Sequence, residues 1–239
     1  MRAPYGLEII ENCAECNLRC DGFFCDLPLA VLKHFESLKY ATVFPKGAIL
    51  FLEGQSPRGI FMLCSGRVKL SSSSASGRTI IAHIGAPGEV LGLSAAVSNA
   101  PYEVTAETLE PCQVNFIKQA EFLKFLSEES IACLRVAQHL SGAYRQASDQ
   151  ARLLGLSEST AEKLANLILS WCDREGKQTE RGISLKLTLT HEEIAQLIGS
   201  SRETVTRLLG DLKNRRIILI KGSTMIVPDR AALEHLSGT

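Results

Sequence analysis

Leu189-Thr-His-Glu-Glu-Ile-Ala-Gln-Leu-Ile-Gly-Ser-Ser-Arg-Glu-Thr-Val-Thr-Arg-Leu-Leu209 reads as two short helices joined by a tight turn. Thr190-His-Glu-Glu193 has the spacing of a capping box, in which a threonine and a glutamate three residues on satisfy each other's backbone N–H groups. It opens a helix with Ile194, Ala195, Leu197 and Ile198 on its inner face, and Gly199 ends that helix and supplies the turn. Ser200-Ser-Arg-Glu203 opens a second helix, with Val205, Leu208, Leu209 and Leu212 pointing inward. Helix, glycine turn and helix within about 24 residues is the spacing of a helix-turn-helix. Ser200 and Ser201 lead into the second helix, whose outer face carries Arg202, Glu203, Thr206 and Arg207, where base edges of a major groove would lie. Arginine takes guanine O6 and N7 together, and glutamate accepts from cytosine N4. Glu203 equally suits a cap on its own helix, and the charges equally suit a solvated face. Farther on, Ile217–Ile220 and Thr224–Val227 flank Lys221-Gly-Ser223, a hairpin signal that makes the unit a winged one.

Charge supports this placement only locally. The 239-residue chain has 26 Lys plus Arg against 26 Asp plus Glu, where a nucleic-acid binder is expected to be basic. Between Ser200 and Lys221, however, Arg202, Arg207, Lys213, Arg215, Arg216 and Lys221 face only Glu203 and Asp211. One end of the molecule is therefore expected to meet phosphates. The length suits about two domains, and 45% apolar with 22% charged residues is ordinary for globular domains. The first residues lack an apolar core ahead of a small-residue cleavage site, and no run of about 18 apolar residues is present to span a bilayer. A cytoplasmic protein without a membrane partner is expected. There, eight cysteines are not expected in structural disulfides, which leaves metal, redox or core roles. His34, His83, His139, His191 and His235 fall in no metalloprotease or nucleophile motif, and an enzyme is not expected.

The rest of the chain divides into a cysteine-rich head (1–30), a β-domain (31–126), a long helix (127–156) and the helix-turn-helix domain (157–239). From about Phe35 to Ile117, apolar stretches such as Ala48–Leu52, Ile60–Leu63, Val68–Leu70 and Thr79–Ile84 alternate with turn residues such as Pro45-Lys-Gly47 and Pro87-Gly88. That spacing predicts an all-β sandwich or barrel, with Ser71–Ser76 as a hairpin tip. After Lys118 the period changes. Cys133, Ala137, Leu140, Tyr144, Ala147, Ala151 and Leu154 alternate steps of four and three. Such a seam suits a helix paired with its own copy, or a core helix laid on its own β-domain. A stop is expected near Gly155. Ser159 through Cys172 reads as another amphipathic helix, with Leu164, Leu167, Ile168 and Trp171 on one face.

The Leu189–Leu209 stretch, with Phe44-Pro-Lys-Gly47, Glu53-Gly54, Ser65-Gly-Arg-Val-Lys69 and Pro87-Gly-Glu89, resembles the CRP/FNR regulator family. The resemblance implies an α+β chain: an N-terminal β-roll of the cupin-like jelly-roll kind, a long dimerisation helix and a C-terminal winged helix-turn-helix. It implies a homodimer on a palindromic site in double-stranded DNA, with RNA polymerase as a further partner. Arg202, Glu203 and Arg207 match the three base-reading positions of the CRP branch. FNR-type readers lack an arginine at the place of Arg202, so half-sites nearer TGTGA than TTGAT are implied.

The resemblance also bears on the signal. Cyclic-AMP-binding members hold the ribose with a glutamate and the phosphate with an Arg-Ser pair. Here Leu93 stands at the glutamate's place, and Tyr102 and Glu103 stand at the pair's. A carboxylate repels a cyclic phosphate and no nearby arginine replaces the donor, so cyclic AMP is not expected; an unidentified small ligand remains open. The head instead carries Cys13-x2-Cys16-x3-Cys20-x4-Cys25, four thiols in 13 residues, a density suited to an iron–sulfur cluster or zinc. FNR-type sensors hold a [4Fe–4S] cluster with three head cysteines and one from the β-roll, a position with which Cys112 aligns. The resemblance thus implies Cys13, Cys16, Cys25 and Cys112 as ligands, with Cys20 the alternate because the third cysteine's spacing departs from the family's. Cys112 also reads as a small buried strand residue, and Cys64, Cys133 and Cys172 read as core residues.

Overall fold

Glycine turns cut the first part of the chain into short strands that pair in antiparallel fashion. The structure, a computed structural model, describes residues 4–7, 9–10, 12–16, 23–157 and 159–237. It divides into two compact units, residues 1–147 and 148–239. In the first unit, a helix α1 (Leu29–Leu38) precedes strands β1 (Tyr40–Phe44), β2 (Ile49–Phe51), β3 (Gly59–Ser65), β4 (Val68–Ser73), β5 (Thr79–Gly85) and β6 (Val90–Leu91). A short helix α2 (Leu93–Ser98), strands β7 (Thr105–Thr108) and β8 (Cys112–Lys118), and helices α3 (Gln119–Glu128) and α4 (Ser130–Leu156) follow. The strands form two sheets, ordered β1-β8-β3-β6 and β2-β7-β4-β5. The expected β-roll is present, and Ser71–Ser76 does lie at a hairpin: β4 pairs with β5 out to Ser73↔Thr79. Phe35, in contrast, begins no strand. It lies in α1, where its spacing from Leu32 puts both side chains on one buried helical face.

Strand alternation sends side chains from the β1-β8-β3-β6 sheet into two separate cores. Phe61 and Leu63 of β3, with Cys112 and Val114 of β8, meet Phe51, Val68 and Ala106 inside the roll. Ile60 and Met62 of β3, with Ile117 of β8, point the other way and pack against Phe24, Leu32, Phe35, Phe122, Phe125 and Val136 from the flanking helical segments. Phe24 stacks on Phe35 with ring centroids 5.1 Å apart. Where β3 pairs with β8 the register shifts between Leu63↔Val114 and Ser65↔Gln113. Two residues of β3 are spanned there against one of β8, so Cys64 is the extra residue of a bulge.

Helix α4 buries Ala132 and Val136, which stand one position away from the apolar seam. Along the seam, Cys133, Ala137, Tyr144, Ala147 and Ala151 are exposed and Leu140 and Leu154 are half-buried. Tyr144 has 75% of its surface accessible. The helix runs one residue past Gly155.

The second unit holds helices α5 (Thr160–Glu175), α6 (His191–Leu197), α7 (Arg202–Asn214) and α8 (Arg230–Leu236). Its one sheet among the described residues has the order β11-β12-β10-β9, made of β9 (Lys177–Thr179), β10 (Gly182–Lys186), β11 (Leu219–Lys221) and β12 (Thr224–Val227). Ser159 caps α5, its hydroxyl accepting from the Glu162 N–H at 3.1 Å. The β11–β12 hairpin turns on Gly222-Ser223, with Lys221 paired to Thr224, where Gly222 takes a left-handed φ of 58°.

Candidate nucleic-acid interface and a thiol-lined cavity

The geometry of the second unit follows from local capping. The Thr190 hydroxyl accepts from the Glu193 N–H at 3.2 Å, and the Glu193 carboxylate accepts the Thr190 N–H at 2.6 Å, so both halves of the capping box form. Gly199 turns the chain at φ 64°, and Ser201 caps α7 by accepting from the Thr204 N–H at 3.2 Å. Ile194, Ala195, Leu197, Ile198, Val205, Leu209 and Leu212 are buried, as the inward-facing set requires; Leu208 is half-buried. Arg202, Glu203, Thr206 and Arg207 are all exposed, and Ser200 is half-buried. The Thr206 hydroxyl is engaged within the motif: it donates to the Arg202 carbonyl at 2.8 Å and lies 2.8 Å from His191 Nδ1. His191 therefore ties α6 to α7, a role its sequence context did not reveal. Glu203 is held below the usual carboxylate range by its own backbone N–H and then by the Ser201 hydroxyl, so it presents a negative charge at the tip of α7.

In the first unit, Cys13, Cys16, Cys25 and Cys64 line one narrow, mostly apolar cavity with Ile10, Leu32, Phe35, Met62, Gln113 and Asn115 among its other walls. The head is fixed to the roll at several points. Gln113 donates through Nε2 to the Ile10 carbonyl at 2.8 Å and accepts the Ile10 N–H at 3.1 Å. Glu36 accepts the Cys13 N–H at 2.6 Å, and Lys39 donates to Cys13 Sγ at 3.0 Å. Asn115 donates through Nδ2 to Cys64 Sγ at 3.1 Å. Burial pushes the Cys64 thiol up to about 12, with the neighbouring head thiols adding to the shift.

Three of the expected ligands are thus together, and Cys112 is not with them. It is fully buried inside the roll, donating to the carbonyls of Glu110 at 3.2 Å and Arg67 at 3.4 Å, and burial raises its pKa to about 11. Cys20 lies outside the described residues. Cys64, expected as a core residue, stands in the cavity instead; the unbroken apolar run Ile60–Leu63 gave no alternation from which its face could be read. Among the described residues, no three His, Cys, Asp or Glu side chains converge as ligands of one metal ion would. The cavity measures about 20 Å³, a water-sized space, so a polynuclear group would spread the thiols apart. The donors themselves suit such a group: soft thiols in an apolar wall.

A larger cavity of about 350 Å³ lies between the roll and the first part of α4, with His83, Glu89, Glu103 and His139 in its lining. His83 Nε2 and Glu89 Oε2 are 2.8 Å apart, and burial lowers the pKa of His139. Tyr102 is buried beside it, stacked on Phe51 at 4.1 Å and donating to the Gly59 carbonyl at 2.8 Å.

Comparison with known proteins agrees with this architecture. Residues 41–129 match the cyclic nucleotide-binding domain family, and residues 162–236 match the Crp-like helix-turn-helix domain. The global nitrogen regulator of Synechococcus elongatus is 32% identical over 197 residues, covering 80% of this chain and 87% of the relative. The anaerobic regulatory protein of Pasteurella multocida is 28% identical over 198 residues, covering 81% and 70%. The solved structure of FixK2 from Bradyrhizobium japonicum superposes with a TM-score of 0.74 at 21% identity, covering 84% of this chain and 98% of that one. No helix among the described residues is long and apolar enough to cross a membrane. A roll, a long helix and a capped, winged helix-turn-helix, matched by relatives over most of its length, make this chain a DNA-binding member of the CRP/FNR family of transcription regulators.

Proposed function

We propose that the protein works as a homodimer on a palindromic site, with α7 in the major groove and Arg202, Glu203 and Arg207 reading base edges. The exposure of those three side chains at the tip and first turns of a capped helix carries this reading. Ser200 and Ser201, at the start of the same helix, approach the phosphate backbone, while Thr206 braces the motif through His191 and the Arg202 carbonyl. The seam on α4 is the dimerisation surface: Cys133, Ala137, Tyr144, Ala147 and Ala151 along it are exposed in one protomer. Half-sites nearer TGTGA than TTGAT follow from the arginine at 202, and RNA polymerase is the partner through which bound protein acts on transcription. Binding measured on palindromes of each half-site, at one stated salt concentration, tests the reading. Tighter binding to the TTGAT palindrome overturns the half-site, and equal affinity for random DNA overturns base reading.

The signal in this reading is oxygen or redox state, received by a group bound to the head thiols. Cys13, Cys16 and Cys25 around one cavity carry it. A [4Fe–4S] cluster suits them better than zinc, because a single zinc ion needs four donors converging at about 2.3 Å, whereas a cluster takes each thiol on a separate iron. When bound, the cluster supplies ligation that oxygen can destroy. Glu36 and Lys39 hold Cys13 in place through its N–H and its sulfur, and the phenylalanines exclude water. Anaerobically purified protein is expected to contain iron and sulfide and to lose its colour in air. Zinc in place of iron, with DNA binding indifferent to oxygen, selects a structural head instead.

A second reading rests on the 350 Å³ cavity beside α4. Glu89 and Glu103 in its lining oppose a cyclic phosphate, and Arg145, a guanidinium that the sequence did not place nearby, lines it as well; with two carboxylates against one guanidinium, the reading takes a small uncharged or cationic molecule rather than cyclic AMP as the ligand. Calorimetric titration with cyclic AMP is expected to give no heat of binding.

A further inference from the structure

Cys64 and Cys112 compete for one place, and strand geometry separates them. On β8, Gln113 and Asn115 face the thiol cavity, so Cys112 and Val114 face the opposite side, inside the roll. Bringing Cys112 to the head requires β8 to slip by one residue. That slip would turn Val114 and Phe116 outward from the roll and Ile117 away from the helices, reversing the burial of the whole strand. Cys112 Sγ also packs directly on the backbone of Gly66, where an added Cβ would stand 2.5 Å from it. Cys64 faces the cavity without any change of register. By the alternation of β3 it shares a face with Ile60 and Met62, which point away from the roll interior. It lines the same cavity as Cys13, Cys16 and Cys25, and its sulfur accepts a hydrogen bond from Asn115 Nδ2, an arrangement suited to a ligating thiolate.

We infer that Cys64, on the β3 bulge, supplies the roll's thiol to the group held by Cys13, Cys16 and Cys25, and that Cys112 is a packing residue of the roll interior. This rests on the reading of the head as a thiol-ligated site. Asn115 is the positioning residue that orients Cys64, and Gln113 occupies the face of β8 from which Cys112 is turned away.

The test uses the full chain, purified without oxygen as wild type and as Cys64→Ala, Cys112→Ala and Cys20→Ala. Iron, acid-labile sulfide and zinc are counted per protomer, and the visible spectrum is recorded. Wild type, Cys112→Ala and Cys20→Ala are expected to carry the group, whereas Cys64→Ala loses it by at least about tenfold. Loss in Cys112→Ala or Cys20→Ala, with retention in Cys64→Ala, overturns the assignment while leaving the head reading intact. A wild type empty of iron and zinc overturns the head reading itself. A second measurement avoids both metal and variants that misfold. Metal-free wild type is oxidised with diamide and its disulfides are mapped by peptide mass. Cys64 is expected to join Cys13, Cys16 or Cys25; Cys112 joined to a head cysteine, or Cys64 left reduced while the head cysteines pair among themselves, overturns the placement.

Discussion

The helix-turn-helix and the thiol cavity are assembled over very different distances along the chain. In the helix-turn-helix the caps join neighbours three or four positions apart, Thr190 to Glu193, Ser201 to Thr204 and Thr206 to Arg202, and the tie between the two helices, His191 to Thr206, spans 15 positions. In the cavity, Ile10 is held by Gln113, and Cys13 by Glu36 and Lys39, while Cys64 arrives on a strand from the middle of the roll. A locally built surface keeps its shape if distant parts of the fold loosen. A cavity built from remote segments is lost when any one of them shifts. That contrast suits a constant output joined to a sensitive input.

The sharpest way to separate the two regions is to weaken the core beneath the cavity. Phe35 is fully buried, stacked on Phe24 and in tilted contact with Phe125, so Phe35→Ala is expected to cost about 3–5 kcal/mol of stability. Denaturant unfolding measures this, and hydrogen exchange locates it: protection should fall in α1 and the roll while α6 and α7 keep theirs. Loss of protection in α6 and α7 as well would mean that the regions are not independent.

Next in size, Arg207→Ala is expected to cost about 1–3 kcal/mol of binding and to relax discrimination at one base pair. Titrations against single-base variants of the site measure it; an equal loss on every sequence marks Arg207 as a phosphate contact instead. Thr190→Ala removes one half of the capping box and should lower stability by about 0.5–2 kcal/mol. Its effect should appear as faster exchange in the first turn of α6, with thiol chemistry in the head unchanged.

The smallest effect concerns Cys112. Its pKa is raised by burial from 9.0 to about 11, so in metal-free protein at about pH 8 it stays protonated and is expected to resist iodoacetamide until the protein is unfolded. The sign for stability follows from linkage. The folded form keeps its proton between about pH 9 and pH 11 while the unfolded form loses it, so the contribution is complete below pH 9 and is lost as pH rises through 11. A Cys112→Ala variant should show less of that alkaline decline; an identical decline would mean other groups cause it.

Much of this protein was legible in its sequence because its signals are periodic or local. The capping box of α6, the Ser201 cap of α7, the Gly199 turn and the inward apolar set of both helices depend on spacing alone. The seam of α4 was visible as a pattern, but whether it lay on the roll was not. Only the fold placed Ala132 and Val136 inward and left Tyr144 and its row exposed. Helix α1 was misread at Phe35 because a short apolar segment beside strands carries little periodic signal.

Sequence by itself determined the helix-turn-helix, the β-rich unit, the long helix and the density of thiols in the head, since each depends on residues near one another along the chain. Tertiary structure decided which roll cysteine meets the head. Cys64 and Cys112 are both small thiols in apolar strands, and nothing local distinguishes them. Their difference lies in strand register and the alternation it fixes, which turns Cys64 toward the cavity and Cys112 into the roll. Register is fixed by the burial of the whole sheet, and so it is a property of the fold before it is a property of either residue.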